Sequence, residues 1–118
     1  AHPTSIYQRR SILKSQLQVY WSDPRHERHC VEWCRGFYKA FFEQQGGKPF
    51  QDNQRYQGCY INYPDIDMKY TDDSHEIVDT RWLELYYGDK RQMLIRTKIR
   101  FDPKNIFRSE LSIPLVHP

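Results

Sequence analysis

One stretch constrains the fold more than any other. Residues 22–47 open with Ser22-Asp23-Pro24 and close on Gly46-Gly47. Asp23 can accept hydrogen bonds from the free amides of a first helical turn, and Pro24 suits the first helical position. Between these signals Cys30, Cys34, Phe37, Tyr38 and Phe41 recur at three- and four-residue steps, which predicts an amphipathic helix over residues 24–45 with its aromatic stripe turned to a core. The paired glycines supply the left-handed stop.

Upstream the period changes. In "SQLQVYW", Leu17, Val19 and Trp21 alternate with Gln16, Gln18 and Tyr20, the pattern of a half-buried strand. Downstream, residues 46–55 read as a polar loop and "YQGCYIN" as an extended segment running to Pro64. "WLELYYG" reads as a short helix ending at Gly88, and Asp89 can cap another through "KRQMLIRTKIRF" until Asp102-Pro103 stops it. The tail "NIFRSELSIPLVHP" has no clear period. This mixture predicts an α+β fold, a partial antiparallel sheet with helices on one face. Two or three strands are few for a free-standing sheet, so part of it is expected to lie outside these residues.

At 118 residues the chain is expected to form a single unit over 1–118. Apolar residues make up 38% and aromatics 15%, so much of the core must come from Tyr, Phe and Trp, whose polar ends need partners. The net charge of +3 is spread among interleaved acidic residues, too mild to imply nucleic acid. No apolar run approaches the length of a membrane span and Ala1-His2-Pro3 does not begin a signal peptide, so a soluble, cytoplasmic protein is expected. Ala1 stands where an initiator methionine is absent, and the chain is expected to be processed or cut from something longer.

The common short catalytic motifs, GxGxxG, the Walker loop, HExxH and GxSxG, are missing. Cys30, Cys34 and Cys59 lack CxxC spacing and read as structural thiols. His26 and His29 fall in a charged first turn and read as solvated rather than metal-binding. Asp65, Asp67, Asp72 and Asp73 lack the glycine and closing glutamate of a calcium loop. What remains is "YINYPDIDMKY", residues 60–70, which crowds tyrosines, an amide and carboxylates around a proline. On an extended chain Tyr60 and Asn62 would point one way, Ile61 and Tyr63 the other. The residues alone leave open whether this is core or a site wall.

"YINYPDID", "WLELYYGD" and "KIRFDPKNIFRSELSIP" resemble, in order and spacing, the C-terminal signature of the berberine bridge enzyme-like flavoproteins of the vanillyl-alcohol oxidase superfamily. "AHPT", "SQLQVYW", "SDP" and the helix with Trp33 are similar to the closing part of the substrate domain in bacterial members. The resemblance covers practically the whole chain. It implies the last part of the substrate domain of an FAD-linked oxidoreductase, acting on an alcohol of a sugar or secondary metabolite. By the same resemblance Tyr63 is the base that takes a hydroxyl proton while hydride passes to flavin N5, and Asn62 and Tyr60 help hold the cofactor. The partner implied is an N-terminal FAD-binding domain, absent from these residues, in the same or another chain. Alone, the segment is expected to be inactive and to self-associate through exposed sheet edges. A phenol serving as base needs a nearby donor or positive charge; a second tyrosine, an arginine or the flavin itself could supply it, and the sequence does not say which. Lys90, Arg91 and Met93 depart from the family's pattern after its glycine, and Leu111 does so before "SIP". The alternative is a non-enzymatic binding module derived from the same family.

Overall fold

Asp23 does cap the first turn: its Oδ1 accepts from the Arg25 amide at 2.9 Å, and Pro24 opens a 3-10 turn over Pro24–His26. A computed structural model of the chain describes residues 4, 6–50, 55–70 and 81–115. Helix α1, Glu27–Phe41, follows directly, and a second 3-10 turn over Glu43–Gln45 ends on Gly46 at φ 76°. The three pieces together fill the span the capping signals predict. Their packing differs from expectation. No side chain of α1 is buried; Cys30, Cys34 and Tyr38 are half-buried, while Phe37 and Phe41 are exposed. Trp33, Phe37 and Phe41 instead stack on one another down the helix, with centroids 5.6 and 6.2 Å apart.

The core gathers around α2, Trp82–Tyr87. Six residues are too few to hold a helix by backbone bonding alone, so burial must do it. Trp82, Leu83, Leu85 and Tyr86 are all buried, together with Met68 and with Ile95 of the next helix. Full burial of such side chains stabilises by roughly 1.5–3 kcal/mol apiece. Gly88 breaks α2, and a 3-10 turn over Gly88–Lys90 leads into α3, Arg91–Phe101. Asp89 thus lies inside that turn and Lys90 occupies the cap position. After α3 the buried Asp102 carboxylate accepts from the amides of Ile106 at 2.7 Å and Phe107 at 3.1 Å, and from the Lys98 ammonium. This arrangement turns the tail at Asp102-Pro103.

The expected sheet is not formed: among the described residues there is no β-strand. Residues 16–21 are irregular and mostly exposed, with no ladder beside them. Alternation marks a chain with two unlike sides, but a strand also needs a neighbour's amides and carbonyls. Here single bonds to other partners take their place. Tyr7 Oη donates to the Gln57 carbonyl, Gln8 Nε2 to the Cys59 carbonyl at 2.7 Å, and the Cys59 amide to the Leu85 carbonyl at 2.7 Å. The Gln57 side chain accepts from the Arg10 amide at 2.9 Å and from Ser11 Oγ at 2.7 Å. The N-terminal arm is thereby pinned to residues 57–59, and those to the end of α2. The described residues offer no sheet edge to associate through.

Candidate functional site

Tyr60 to Tyr63 form a tight turn closed by the Tyr63 amide donating to the Tyr60 carbonyl at 3.0 Å. A turn of this kind brings its first and fourth residues together, so the alternation expected of an extended chain does not apply. Tyr60, Asn62 and Tyr63 converge, and only Ile61 turns inward against the core. The rings of Tyr60 and Tyr63 meet edge to face at 5.6 Å and 72°. Asn62 Nδ2 donates to Tyr60 Oη at 2.7 Å. Tyr63 keeps 50% of its surface exposed.

The turn is held from below. Gly58, at φ +82°, brings the backbone against α2, and the next residue bonds the Leu85 carbonyl. Tyr86 Oη accepts from the Asp65 amide at 2.9 Å, just past Pro64. Asp65 caps the 3-10 turn over Ile66–Lys69 by accepting from the Asp67 amide at 3.0 Å. Asp67 in turn makes a two-pronged pair with Arg35 of α1, at 2.6 and 2.8 Å. Asp65 and Asp67 are therefore joints of the scaffold; Asp72, Asp73 and His75 lie outside the described residues. His26, in the 3-10 turn before α1, and His29, in its first turn, are exposed.

Lys14 is the residue that sequence reasoning missed. Its ammonium lies 3.8 Å from the Tyr60 ring centroid and 4.2 Å from that of Tyr63, a cation shared by two aromatic rings. The signal was available: Lys14 is the one basic residue in 11–24 and falls on the same alternating face as Gln16, Gln18 and Tyr20. What could not be read was that the arm, pinned through Tyr7, Gln8 and Gln57, returns over the turn. The two phenols face an open trough of about 2050 Å³, which Trp21, Phe37 and Phe41 also line.

Behind the wall burial raises the thiol and the phenols. Burial pushes the Cys59 thiol up to about 11 and the Tyr7 phenol up to about 12. Tyr38, whose hydroxyl lies 3.9 Å from Cys59 Sγ, and Tyr86 are raised by burial as well. These groups support the wall as structural parts, and the three cysteines are free thiols. Among the described residues no cluster of three or more His, Cys, Asp or Glu side chains could hold a metal ion, and no helix is long and apolar enough to cross a membrane.

The residues of this turn lie inside a recognised sequence family. A family model described as "Berberine and berberine like" matches residues 59–114, from Cys59 to Pro114. The chain belongs to this family. It is 36% identical over 110 residues to the aclacinomycin-N/aclacinomycin-A oxidase of Streptomyces galilaeus, covering 93% of this chain and 20% of that protein. Hexose oxidase of Chondrus crispus is 34% identical over 117 residues, covering 94% of this chain and 21% of its own. Among solved structures, a glycopeptide hexose oxidase complexed with teicoplanin superposes with a TM-score of 0.70 at 33% identity, over 80% of this chain and 18% of that one. Aclacinomycin oxidoreductase gives 0.68 at 36% identity, over 79% and 18%. This berberine-like chain spans about a fifth of the length of the curated relatives it matches.

Proposed function

We propose that the chain is the C-terminal part of the substrate domain of an FAD-dependent oxidoreductase that oxidises an alcohol of a sugar or secondary metabolite. The observation that carries this reading is the turn at Tyr60–Tyr63. A half-exposed phenol stands at the edge of a trough with an ammonium over its ring, inside the block the family model matches. Relatives whose names specify oxidation of aclacinomycins and hexoses support the substrate class.

In this reading Tyr63 accepts the proton of the substrate hydroxyl, which raises the alcohol's power to give up hydride. Lys14 stabilises the negative charge that develops on the phenol. Asn62 and Tyr60 face the cofactor: an amide, a phenol ring and an ammonium suit a planar aromatic ring system with polar edges. FAD, when bound, supplies the hydride acceptor. The share of the relatives that is matched, about a fifth, supports an N-terminal FAD-binding half as partner, in the same or another chain. Without it the segment holds flavin weakly and is inactive. Relatives that are much longer oxidases disfavour a free-standing binding module. Three free thiols fit the cytoplasm.

The test is stopped-flow reduction of the flavin by substrate in the polypeptide that joins this segment to its FAD-binding half. Tyr63→Phe should slow reduction by roughly a hundredfold or more, the scale of a positioned base. Reduction at the unaltered rate would sink the proposal.

A further inference from the structure

The charge over the two phenols arrives on a segment with little of its own to hold it. Tyr7 Oη donates to the Gln57 carbonyl and Gln8 Nε2 to the Cys59 carbonyl at 2.7 Å, which anchors the arm as far as residue 8. Those two bonds alone would let the chain beyond them swing. The half-buried Gln57 side chain catches it: its Oε1 accepts from the Arg10 amide at 2.9 Å and from Ser11 Oγ at 2.7 Å. Ile12 and Leu13 follow at 94% and 84% exposure, so packing does not fix the course of the chain there. Lys14 comes next, its ammonium 3.8 and 4.2 Å from the two ring centroids. From Ser11 to Lys14 the chain can reach at most about 10 Å, so the point where Gln57 holds it limits where the charge can fall. Gln57 also precedes Tyr60 by three residues, so the arm and the wall are referred to one piece of backbone.

We infer that Gln57 is a positioning residue for the reaction: through Arg10 and Ser11 it directs the Lys14 ammonium onto Tyr60 and Tyr63. This rests on the alcohol-oxidising reading above and adds to it a residue that acts only through Lys14. The task needs an acceptor oxygen at the end of a side chain of this length. Glutamate provides one, and methionine, of the same length, does not. Each bond to Gln57 favours the placed arm over the loose one by about fivefold, the scale of one net hydrogen bond.

The test is stopped-flow flavin reduction in the flavin-loaded full polypeptide. Gln57→Met should slow reduction by about tenfold, the loss expected of Lys14→Met, and Ser11→Ala, which keeps the Arg10 bond, by about threefold. Gln57→Glu should stay within about twofold of the unaltered protein. In a Lys14→Met background Gln57→Met should cost no more than about twofold further, because the charge it directs has gone. A residue that merely supports the fold would slow both backgrounds alike. Hydrogen exchange separates the two roles a second way: in Gln57→Met the Arg10 amide should exchange about fivefold faster or more, and the Cys59 amide, bonded to α2, at its unaltered rate. Equal losses with and without Lys14, quickened exchange at Cys59, or reduction of Gln57→Met at the unaltered rate overturns the inference. So does a Lys14→Met protein reduced at the unaltered rate, which leaves Gln57 nothing to direct. Failure of the alcohol-oxidising reading shows separately, as a Tyr63→Phe protein reduced at the unaltered rate.

Discussion

The position that most firmly ties fold to site is Gly58, and Gly58→Ala measures the tie. At φ +82° the backbone is in the left-handed region, which costs a residue with a Cβ roughly 1–2 kcal/mol. An added Cβ would also overlap the Leu85 carbonyl oxygen and lie 2.6 Å from Tyr7 Oη. Two hydrogen bonds depend on that space. One runs from the Cys59 amide to the Leu85 carbonyl at 2.7 Å, the other from Tyr7 Oη to the Gln57 carbonyl. Losing both costs about 2 kcal/mol more. The total, about 3–4 kcal/mol, is at the high end for one substitution. In the full polypeptide this should speed hydrogen exchange at the Cys59 amide by about 100- to 1,000-fold. Gly46→Ala is the control, because Gly46 has a similar φ of +76° but nothing within 4 Å of an added Cβ. It should carry only the conformational part. Exchange at Cys59 that matches the Gly46→Ala protein would refute the claim that close approach to α2 fixes this turn. Since the turn begins two residues later, Gly58→Ala should also carry Tyr60 and Tyr63 away from Lys14 and slow flavin reduction.

Four further outcomes are expected. Lys14→Met should slow flavin reduction by about tenfold and Lys14→Arg should retain most of the rate, since the ring contact needs the charge; equal rates in both variants would remove Lys14 from the site. The Lys98 ammonium holds the Asp102 carboxyl below its ordinary 3.8, so its stabilisation is present above that value and is lost as pH falls through the depressed one. Asp102→Asn should therefore quicken exchange of the Ile106 and Phe107 amides at neutral pH and flatten their acid dependence, as read by NMR. With its thiol pushed up to about 11, Cys59 should react with iodoacetamide at pH 8 about a hundredfold more slowly than an ordinary cysteine, as peptide mass spectrometry can resolve. The segment expressed alone should elute above monomer mass, and Phe37→Glu with Phe41→Glu should reduce this, because those exposed rings are an apolar ladder on α1.

How much was legible depends on the range of the signal. Asp23, Pro24 and Gly46 act on their own neighbours, so the helical span of residues 24–45 could be read from them. The same holds for α2 and α3, bounded by Gly88 and by Asp102-Pro103. The sheet could not be read, because alternation in residues 16–21 says that the chain has two faces and nothing about what meets them. Nor could the outward stacking of Trp33, Phe37 and Phe41, whose spacing would look the same in a core. At the site the residue types in "YINY" were visible, but their convergence depends on a turn that cancels the period-two geometry. Lys14 was hidden for a related reason: 46 residues separate it from Tyr60, and the link runs through Gln57, which joins the arm to the turn by side-chain bonds.

That route has a consequence for how the site is put together. The arm, the turn and α2 contribute Lys14, the two phenols and the Leu85 carbonyl, and no one of these elements is held by regular backbone pairing with another. Their relative placement rests on a few bonds around Gln57, Gly58 and Cys59, each worth only about 1 kcal/mol net. On the proposed reading a partner covering the trough would fix their relative placement more firmly than these bonds do alone.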